Sequence, residues 1–219
     1  MKNKIIAIDG YASTGKSTLS KKLAKYLDYI YIDTGFMYRA ITYYALKKNL
    51  FIQSNINSSK LENLLNNSSF SVSKKYNCLL FNKKLLGDEV RTIIISEKVS
   101  KIAMLKKVRD YMVIQQRALA SKENSVVEGR DIGTIVFPDA TKKFFLTADQ
   151  SVRAKRRYKE LIINDPDVSY EQILKNVIKR DHEDSNRKLS PLKRAKGSIE
   201  IDTTKLTIDQ AFDLIISNL

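Results

Sequence analysis

Residues 6–18 read IAIDGYASTGKST, an apolar segment followed by a loop that carries almost no large side chains. The apolar segment predicts a buried strand, and the leucines spaced along the chain after Lys16 predict a helix. Between the two stand Gly10, four further residues, and then Gly15, Lys16 and Ser17. In such a loop successive backbone N–H groups can curl around an anion, and the helix N-terminus adds unpaired donors and the positive end of its dipole. The stretch therefore predicts a phosphate-binding loop between a strand and a helix.

The spacing Gly-x-x-x-x-Gly-Lys-Ser in this setting is the P-loop of proteins that bind nucleoside triphosphates. In a P-loop the lysine reaches the β- and γ-phosphates, and the serine hydroxyl is a ligand of Mg²⁺. We therefore expect Lys16 to be catalytic and Ser17 to hold a metal ion. The residues expected to bind the triphosphate are Gly10, Tyr11, Ala12, Ser13, Thr14, Gly15, Lys16, Ser17 and Thr18.

A P-loop leaves three classes of protein open: a phosphotransferase, a GTP-dependent switch and a motor-type ATPase. The sequence contains no Asn-Lys-x-Asp segment, which a switch needs to read guanine, and no second core strand that ends in Asp-Glu, as motor ATPases usually have. Arginines instead follow the predicted carboxyl ends of several strands, where open α/β sheets bind ligands. This pattern favours a phosphotransferase with a second, phosphorylated substrate facing the triphosphate.

Short apolar segments recur along the chain, and helical patterns stand between them. Alternation of this kind predicts an α/β fold in which five parallel strands form a sheet flanked by helices. The predicted strands are residues 4–8, 29–33, 125–129, 142–148 and 198–202.

Two stretches interrupt the alternation. Residues 68–90 read as short antiparallel strands joined by polar turns, so we expect an insertion there. Residues 164–170, NDPDVSY, form a polar joint with a proline between two predicted helices, which suits a mobile lid. We therefore expect one P-loop domain over residues 1–219, with a small lid at 157–170.

The composition is that of a globular protein, with 43% hydrophobic and 29% charged residues. No apolar run approaches the ~20 residues that a membrane span needs, and the apolar start of the chain is too short for a signal peptide. The single cysteine, Cys78, excludes an intrachain disulfide, which fits a reducing compartment. We expect a cytoplasmic protein with no membrane contact.

The formal net charge of +15 raises the question of a nucleic-acid partner. The lysines are scattered in pairs, without the interleaved aromatic residues that single-strand binders use, so we expect no nucleic acid as partner. Only 11 of the 39 basic residues are arginines, and seven of these lie between residues 130 and 194. An arginine presents a planar pair of donors to a phosphate, which a lysine cannot do. The arginines of this region are therefore candidates for phosphate binding.

Six segments together resemble the bacterial cytidylate kinases, in the order in which that family has them. They are IDGYASTGKST (8–18), YIDTGFMYRA (31–40), VRTIIISEKVSKIA (90–103), VEGRDIGTIVFPDATKKFFLTA (127–148), RAKRR (153–157) and RDHEDSNRKLSPL (180–192). The motifs DTGxMYRA and GRDIGTxVFPDA are highly specific, and the resemblance covers nearly the whole chain. It implies transfer of the γ-phosphoryl group of ATP to CMP or dCMP, with Mg²⁺. It also implies that the insertion belongs to an enlarged monophosphate-binding subdomain at residues 35–120.

The resemblance implies roles for individual arginines. Arg39, Arg130 and Arg187 would grip the CMP phosphate. Arg153 and Arg157, both in RAKRR, would close over the ATP phosphates. The arginines expected to be catalytic beside the P-loop lysine are Arg130, Arg187, Arg157 and Arg153.

The same resemblance implies which residues read the base and the sugar. Ser100, Arg109 and Asp131 would face the pyrimidine, where a carboxylate can accept a hydrogen bond from the cytosine amino group. Arg180 and Asp184 match the pair that contacts the sugar. The full set expected around CMP is Thr34, Tyr38, Arg39, Ser100, Arg109, Arg130, Asp131, Arg180, Asp184 and Arg187.

The chain departs from the family pattern at three positions. Tyr11 stands where the family usually has proline, which puts an aromatic ring near the nucleotide. Glu128 stands where it usually has aspartate, and this carboxylate at a predicted strand end is a candidate to hold Mg²⁺ through water. An acidic residue common in the family near Ile94 is missing.

Two other functions stay open beside transfer to CMP. One is a kinase for another nucleoside monophosphate, namely UMP, AMP or TMP. The more distant one is a basic nucleic-acid-binding protein with a vestigial ATP site. We expect a monomer, because nothing in the sequence suggests a self-complementary apolar face.

Overall fold

Helices and strands alternate along most of the chain. The structure, a computed structural model, describes residues 3–53, 55–163 and 165–219. Its strands are β1 (Ile5–Gly10), β2 (Ile30–Asp33), β3 (Phe51–Ile52), β4 (Asn55–Ile56), β5 (Phe70–Ser73), β6 (Cys78–Phe81), β7 (Ser125–Gly129), β8 (Lys142–Thr147) and β9 (Ile199–Asp202). Its helices are α1 (Lys16–Leu27), α2 (Thr34–Lys47), α3 (Ser58–Asn66), α4 (Ile93–Ala103), α5 (Lys106–Ala120), α6 (Gln150–Leu161), α7 (Tyr170–Asn186) and α8 (Ile208–Ile216).

Five strands form one parallel sheet in the order β2–β7–β1–β8–β9. This confirms the five-stranded parallel sheet and the α/β fold predicted from the sequence. The register pairs Asp9 with Gly129 and Asp33 with Glu128. The carboxyl ends of β1, β2 and β7 are therefore level, so the segments that follow them meet at one edge of the sheet.

The core has two layers, one on each face of the sheet. Side chains alternate along β1, so that Ile6 and Ile8 pack on one face while Ala7 packs on the other. Helices α1 and α8 cover the first face, and α2, α3 and α5 cover the second. Burial of these apolar side chains, each contributing roughly 1.5–3 kcal/mol, holds the helices against the sheet.

The predicted insertion at 68–90 contains the antiparallel hairpin β5–β6, as expected. The turn of this hairpin attaches to the edge strand β2. The Asn77 side chain accepts a hydrogen bond from the Tyr31 N–H (2.9 Å) and donates one to the Tyr29 carbonyl (3.3 Å). Because an open sheet edge exposes unpaired backbone groups, this contact both protects β2 and anchors the hairpin.

Helices α6 and α7 share a small apolar cluster of their own, formed by Ala154, Val168, Ile173 and Val177. The predicted lid at 157–170 comprises the end of α6, the connection and the start of α7, and its position 164 lies outside the described residues. The lid and subdomain boundaries stay predictions. No helix in the described part of the chain is both long enough and apolar enough to cross a membrane.

Candidate active site

A cleft of about 910 Å³ opens at the carboxyl edge of the sheet. Most residues predicted for the site line it: Ala12, Ser13, Gly15, Lys16, Ser17, Thr18, Thr34, Tyr38, Arg39, Ser100, Arg109, Glu128, Arg130, Asp131, Arg157, Arg180, Asp184 and Arg187. Gly10, Tyr11, Thr14 and Arg153 do not line it. The first three of these still belong to the P-loop that bounds the cleft, whereas Arg153 lies elsewhere.

Glycine is required at both ends of the P-loop. Gly10 has a φ of +145°, and a Cβ at this position would lie 2.1 Å from the backbone oxygen of Leu146. Gly15, which precedes α1, has a φ of +89°. An L-residue is strained at such φ values, and at Gly10 it would also collide with β8. The shape of the P-loop therefore depends both on the backbone freedom of glycine and on the close approach of β8 to Gly10.

Lys16 is buried, and its side chain folds back over the P-loop. Its ammonium donates to the Tyr11 carbonyl and, at 3.3 Å, to the Thr14 hydroxyl. Burial, followed by the nearby Arg130 guanidinium, lowers the pKa of Lys16 well below its usual value. A phosphate oxygen is a stronger partner than a carbonyl for this ammonium, because the bond is then assisted by charge.

Glu128 ends up deeply buried at the end of β7. One carboxylate oxygen accepts from the Tyr31 hydroxyl, and the other, Oε2, has no hydrogen-bond partner among the described residues. Burial and the neighbouring Asp33 raise the pKa of Glu128, while Lys16 and the Ser17 hydroxyl oppose that rise. The unpartnered oxygen is the feature that calls for a cation at this position.

The residues around Oε2 fit Mg²⁺. This ion prefers oxygen ligands and usually takes one or two protein groups, completing its shell with water and substrate phosphates. The Ser17 hydroxyl and the Glu128 carboxylate are such a pair, at the base of the P-loop. In the described residues no group of three or more acidic, histidine or cysteine side chains is placed to hold a metal, so an all-protein cage is not formed there.

The arginines on the opposite wall are each tethered by an acidic residue. Arg39 donates to Asp33 at 2.9 Å, and Arg130 donates to Asp184 at 3.0 Å. Arg187 lies 3.7 Å from both Asp184 and Asp131, and its Nε donates to the Ser190 carbonyl at 2.7 Å. Such pairing orients a guanidinium while leaving part of its donor fork free.

Several donors of this wall are unsatisfied. The buried atoms Arg39 Nε, Arg180 Nε and Arg187 Nη2 have no hydrogen-bond partner among the described residues. Burial and the nearby Arg130 lower the pKa of Arg180 to about 10, and burial also lowers the pKa values of Arg157 and Arg187. Buried donors without partners and crowded positive charges are both costly, so this wall is arranged to receive an anion.

A third group of residues lies at the far end of the cleft. Arg109 pairs with Asp131 through Nη2 and donates to the Ser190 hydroxyl at 3.1 Å. Ser100 is buried in the lining of the same cleft, and the centre of the Tyr38 ring lies 5.8 Å from the Arg109 guanidinium carbon. Burial raises the pKa of Asp131, although Arg109 lowers it. Two of the three residues predicted to read a pyrimidine, Arg109 and Asp131, are thus in contact, Ser100 lines the same cleft, and Ser190 joins the pair without having been predicted.

Arg153 differs from the expectation that it closes over the ATP phosphates. Its side chain is 2% exposed and forms a bidentate ion pair with Asp181 of α7. It also donates to the Ala148 carbonyl (2.8 Å) and to the Ala12 carbonyl (3.3 Å), and it lies 5.2 Å from the centre of the Tyr11 ring. These partners occupy the donors of the Arg153 guanidinium. Arg153 therefore supports the backbone of the P-loop and does not point into the cleft.

Arg91 is a residue of the cleft to which the sequence assigned no role. It lies 3.7 Å from Asp33, the carboxylate that also holds Arg39. Arg157 donates to the Arg91 backbone oxygen at 2.6 Å, so the predicted lid touches the segment just before α4. The sequence shows an arginine at position 91, but it carries no signal that this side chain lies beside Asp33.

A P-loop at the end of the first strand of a parallel sheet, faced by tethered arginines with free buried donors, defines a P-loop phosphotransferase with an anionic acceptor. A sequence profile described as "Cytidylate kinase" matches residues 6–219. The chain is 49% identical over 211 residues to a cytidylate kinase of Clostridium tetani. The aligned residues cover 96% of this chain and 91% of that protein. It is 46% identical over 217 residues to a cytidylate kinase of Clostridium botulinum strain Loch Maree, covering 99% of this chain and 98% of that protein. The chain belongs to the cytidylate kinase family.

One solved structure shares the fold at low sequence identity. A crystal structure of an uncharacterized protein from Eubacterium ventriosum has a TM-score of 0.50 and 15% identity, covering 99% of this chain and 98% of that one. This likeness concerns the fold alone. The family assignment rests on the relatives and the profile.

Proposed function

We propose that this protein transfers the γ-phosphoryl group of ATP to CMP or dCMP, giving ADP and CDP or dCDP. Membership of the cytidylate kinase family supports this proposal. The observation that carries it is a single cleft in which the P-loop faces arginines whose buried donors lack partners among the described residues. Two phosphate sites in one cleft are what a kinase with a phosphorylated acceptor requires.

The donor nucleotide is held by the P-loop. Backbone N–H groups at the start of α1 bind the β- and γ-phosphates, and the Lys16 ammonium exchanges the Tyr11 carbonyl for a phosphate oxygen. Ser17 and Glu128 hold Mg²⁺, which, when bound, neutralises charge on the phosphates.

The acceptor phosphate is held by Arg39, Arg130 and Arg187. Their charges offset the repulsion between two polyanions, and the acid that tethers each guanidinium fixes its direction. Phosphoryl transfer depends mainly on positioning and charge neutralisation, and holding two reactants in line contributes ~7–11 kcal/mol. A phosphate acceptor needs no general base.

The base is selected by Asp131 and Arg109. A carboxylate accepts a hydrogen bond from the exocyclic amino group of cytosine, whereas uracil presents a carbonyl at the same position. With UMP the buried carboxylate would lose that partner, at a cost of roughly 1–3 kcal/mol. Arg180 and Asp184 contact the sugar, and Thr34 lies near the ribose or the phosphate.

We further infer that the subdomain at 35–120 and the lid at 157–170 close over both nucleotides and expel water. The hydrogen bond from Arg157 to the Arg91 backbone supports such an approach between the two parts. Because one chain supplies both phosphate sites, a monomer is sufficient. We infer a cytoplasmic location, which the single cysteine supports.

A panel of nucleoside monophosphates tests the function directly. With ATP and Mg²⁺ in a coupled assay of ADP release, CMP and dCMP are the expected substrates, and UMP is expected to be poorer. Turnover of AMP or TMP without CMP would refute the choice of acceptor and leave a kinase. Salt-dependent binding of single-stranded oligonucleotides, without turnover of any monophosphate, would instead favour the nucleic-acid-binding alternative.

A further inference from the structure

Asp9 is a buried carboxylate at the end of β1 that the reaction outlined above does not use. Its side chain accepts hydrogen bonds from the backbone N–H groups of Ile132 (2.9 Å) and Gly133 (2.8 Å). Asp9 is only 3% exposed, and no basic side chain of the described residues forms an ion pair with it. A buried carboxylate without an ion pair is costly, so its two bonds to the backbone serve a purpose beyond packing.

These two bonds hold the first end of an unusual turn. Residues 132–136 form a π-helical turn, with hydrogen bonds from Phe137 N to Ile132 O (2.7 Å) and from Val136 N to Asp131 O (3.2 Å). Turns of this width are rare and do not persist by propensity alone. The shape of this one therefore depends on the groups that hold it from outside.

The second end of the turn is held by Arg117 of α5. Its guanidinium donates to the Val136 carbonyl at 3.0 Å and to the Ile135 carbonyl at 3.0 Å. The turn is thus fixed at its N-terminal amides by Asp9 and at its C-terminal carbonyls by Arg117. These four bonds come from two different structural layers, the central strand and the second helical layer.

The fixed turn directly follows the two residues that face the acceptor nucleotide. Arg130 and Asp131 stand between β7 and the turn, so the position of the turn determines where their side chains enter the cleft. On the other side, Asp9 immediately precedes Gly10, the first residue of the P-loop. Asp9 is therefore linked to both sites. Its backbone leads into the P-loop of the donor site, and its side chain holds the turn that supports the acceptor site.

We propose that Asp9 is a positioning residue for the acceptor nucleotide, which it orients by fixing the turn that follows Arg130 and Asp131. The proposal rests on the proposed function, because it concerns the acceptor site of that reaction. Asparagine cannot replace the carboxylate: its side chain has one acceptor oxygen, and its NH₂ group would face the second backbone N–H. Asp9→Asn is therefore expected to release one end of the turn while the P-loop sequence stays intact.

The test compares steady-state kinetics of Asp9→Asn, Arg117→Gln and the wild type with CMP, UMP and ATP. For Asp9→Asn we expect the KM for CMP to rise about ten-fold and the ratio of kcat/KM for CMP over UMP to fall about ten-fold, with the KM for ATP changed by less than about two-fold. Arg117→Gln, which alters an exposed side chain at the other end of the turn, is expected to change the same quantities in the same direction to a smaller extent.

Ile215→Ala is the matched control, since Ile215 of α8 is fully buried against the other face of the sheet from α5. This control should lower the melting temperature without changing the ratio of kcat/KM for CMP over UMP, which separates loss of stability from loss of positioning.

The proposal is overturned if Asp9→Asn folds and leaves that ratio unchanged, or if it raises the KM values for CMP and ATP equally. Should Asp9→Asn fail to fold, an unchanged KM for CMP and an unchanged ratio in Arg117→Gln overturn it. A wild-type protein that does not phosphorylate CMP refutes the proposed function instead.

Discussion

Arg153 of α6 and Asp181 of α7 form a bidentate ion pair directly behind the P-loop, with the Nη1–Oδ1 distance at 3.0 Å. The same guanidinium donates to the Ala12 carbonyl, so the two helices next to the lid are joined to the P-loop through one side chain. This one side chain therefore links α7 directly to the backbone of the P-loop.

Breaking this pair is expected to destabilise the protein. Arg153→Met leaves the Asp181 carboxylate buried without its partner, which costs about 3–5 kcal/mol of unfolding free energy in urea titrations. The double variant Arg153→Met, Asp181→Leu should recover most of that loss, because no unpaired charge stays buried. If the double variant is no more stable than the single one, the stabilisation comes from packing around Arg153 rather than from the ion pair.

Arg39→Lys is expected to impair activity far more than stability. The lysine keeps a positive charge near Asp33 but cannot reproduce the planar fork, whose Nε has no partner among the described residues. We expect kcat/KM for CMP to fall by about 100-fold, while the unfolding free energy changes by less than about 1 kcal/mol.

The matched control for this change is Arg194→Lys. Arg194 also pairs with one carboxylate, that of Glu200, but its side chain is 52% exposed and lies outside the cleft. It should leave both activity and stability near those of the wild type. Equal losses of activity in the two variants would argue against a special role for Arg39.

Much of this site was predictable because its signals are local in sequence. The P-loop is encoded by eight consecutive positions, and the parallel sheet follows from apolar segments that recur at helix-sized intervals. The arginines were identified because they are scarce in a chain rich in lysine. Their roles came from the family resemblance, and their tethering acids came from the structure.

The supports of the site could not be predicted, because their partners are far apart in sequence. Asp9 meets Ile132 across 123 positions, and Asn77 reaches Tyr31 across 46. Neither contact leaves a periodic or compositional signal. Arg153 is a second example. Its motif suggested a phosphate ligand, but its guanidinium is paired with Asp181, which lies 28 positions away in the sequence.

Glu128→Gln is expected to weaken the response to Mg²⁺. The amide keeps the size of the side chain but removes the charge from the oxygen that has no hydrogen-bond partner among the described residues. The concentration of Mg²⁺ needed for half-maximal activity should rise by about ten-fold or more. Tyr31→Phe is the control, because it removes the hydroxyl that binds Oε1 and keeps the carboxylate. A Glu128→Gln enzyme with an unchanged Mg²⁺ titration would exclude Glu128 as a metal ligand.

Asp9 should also make stability depend on pH in a definite direction. Burial raises the pKa of Asp9 to about 6, although the backbone hydrogen bonds from Gly133 and Ile132 oppose the rise, whereas an aspartate in the unfolded chain titrates near pH 4. Between these values the native protein binds a proton that the unfolded chain has released, so the stability contributed by this group is complete below about pH 4 and is lost as the pH rises through 6. Relative to Asp9→Asn, which cannot titrate, the wild type should therefore lose about 2–3 kcal/mol of unfolding free energy between pH 4 and pH 7.5. Urea unfolding of both proteins at several pH values measures this difference, and a difference that stays constant would mean that Asp9 has the same pKa in the folded and the unfolded protein.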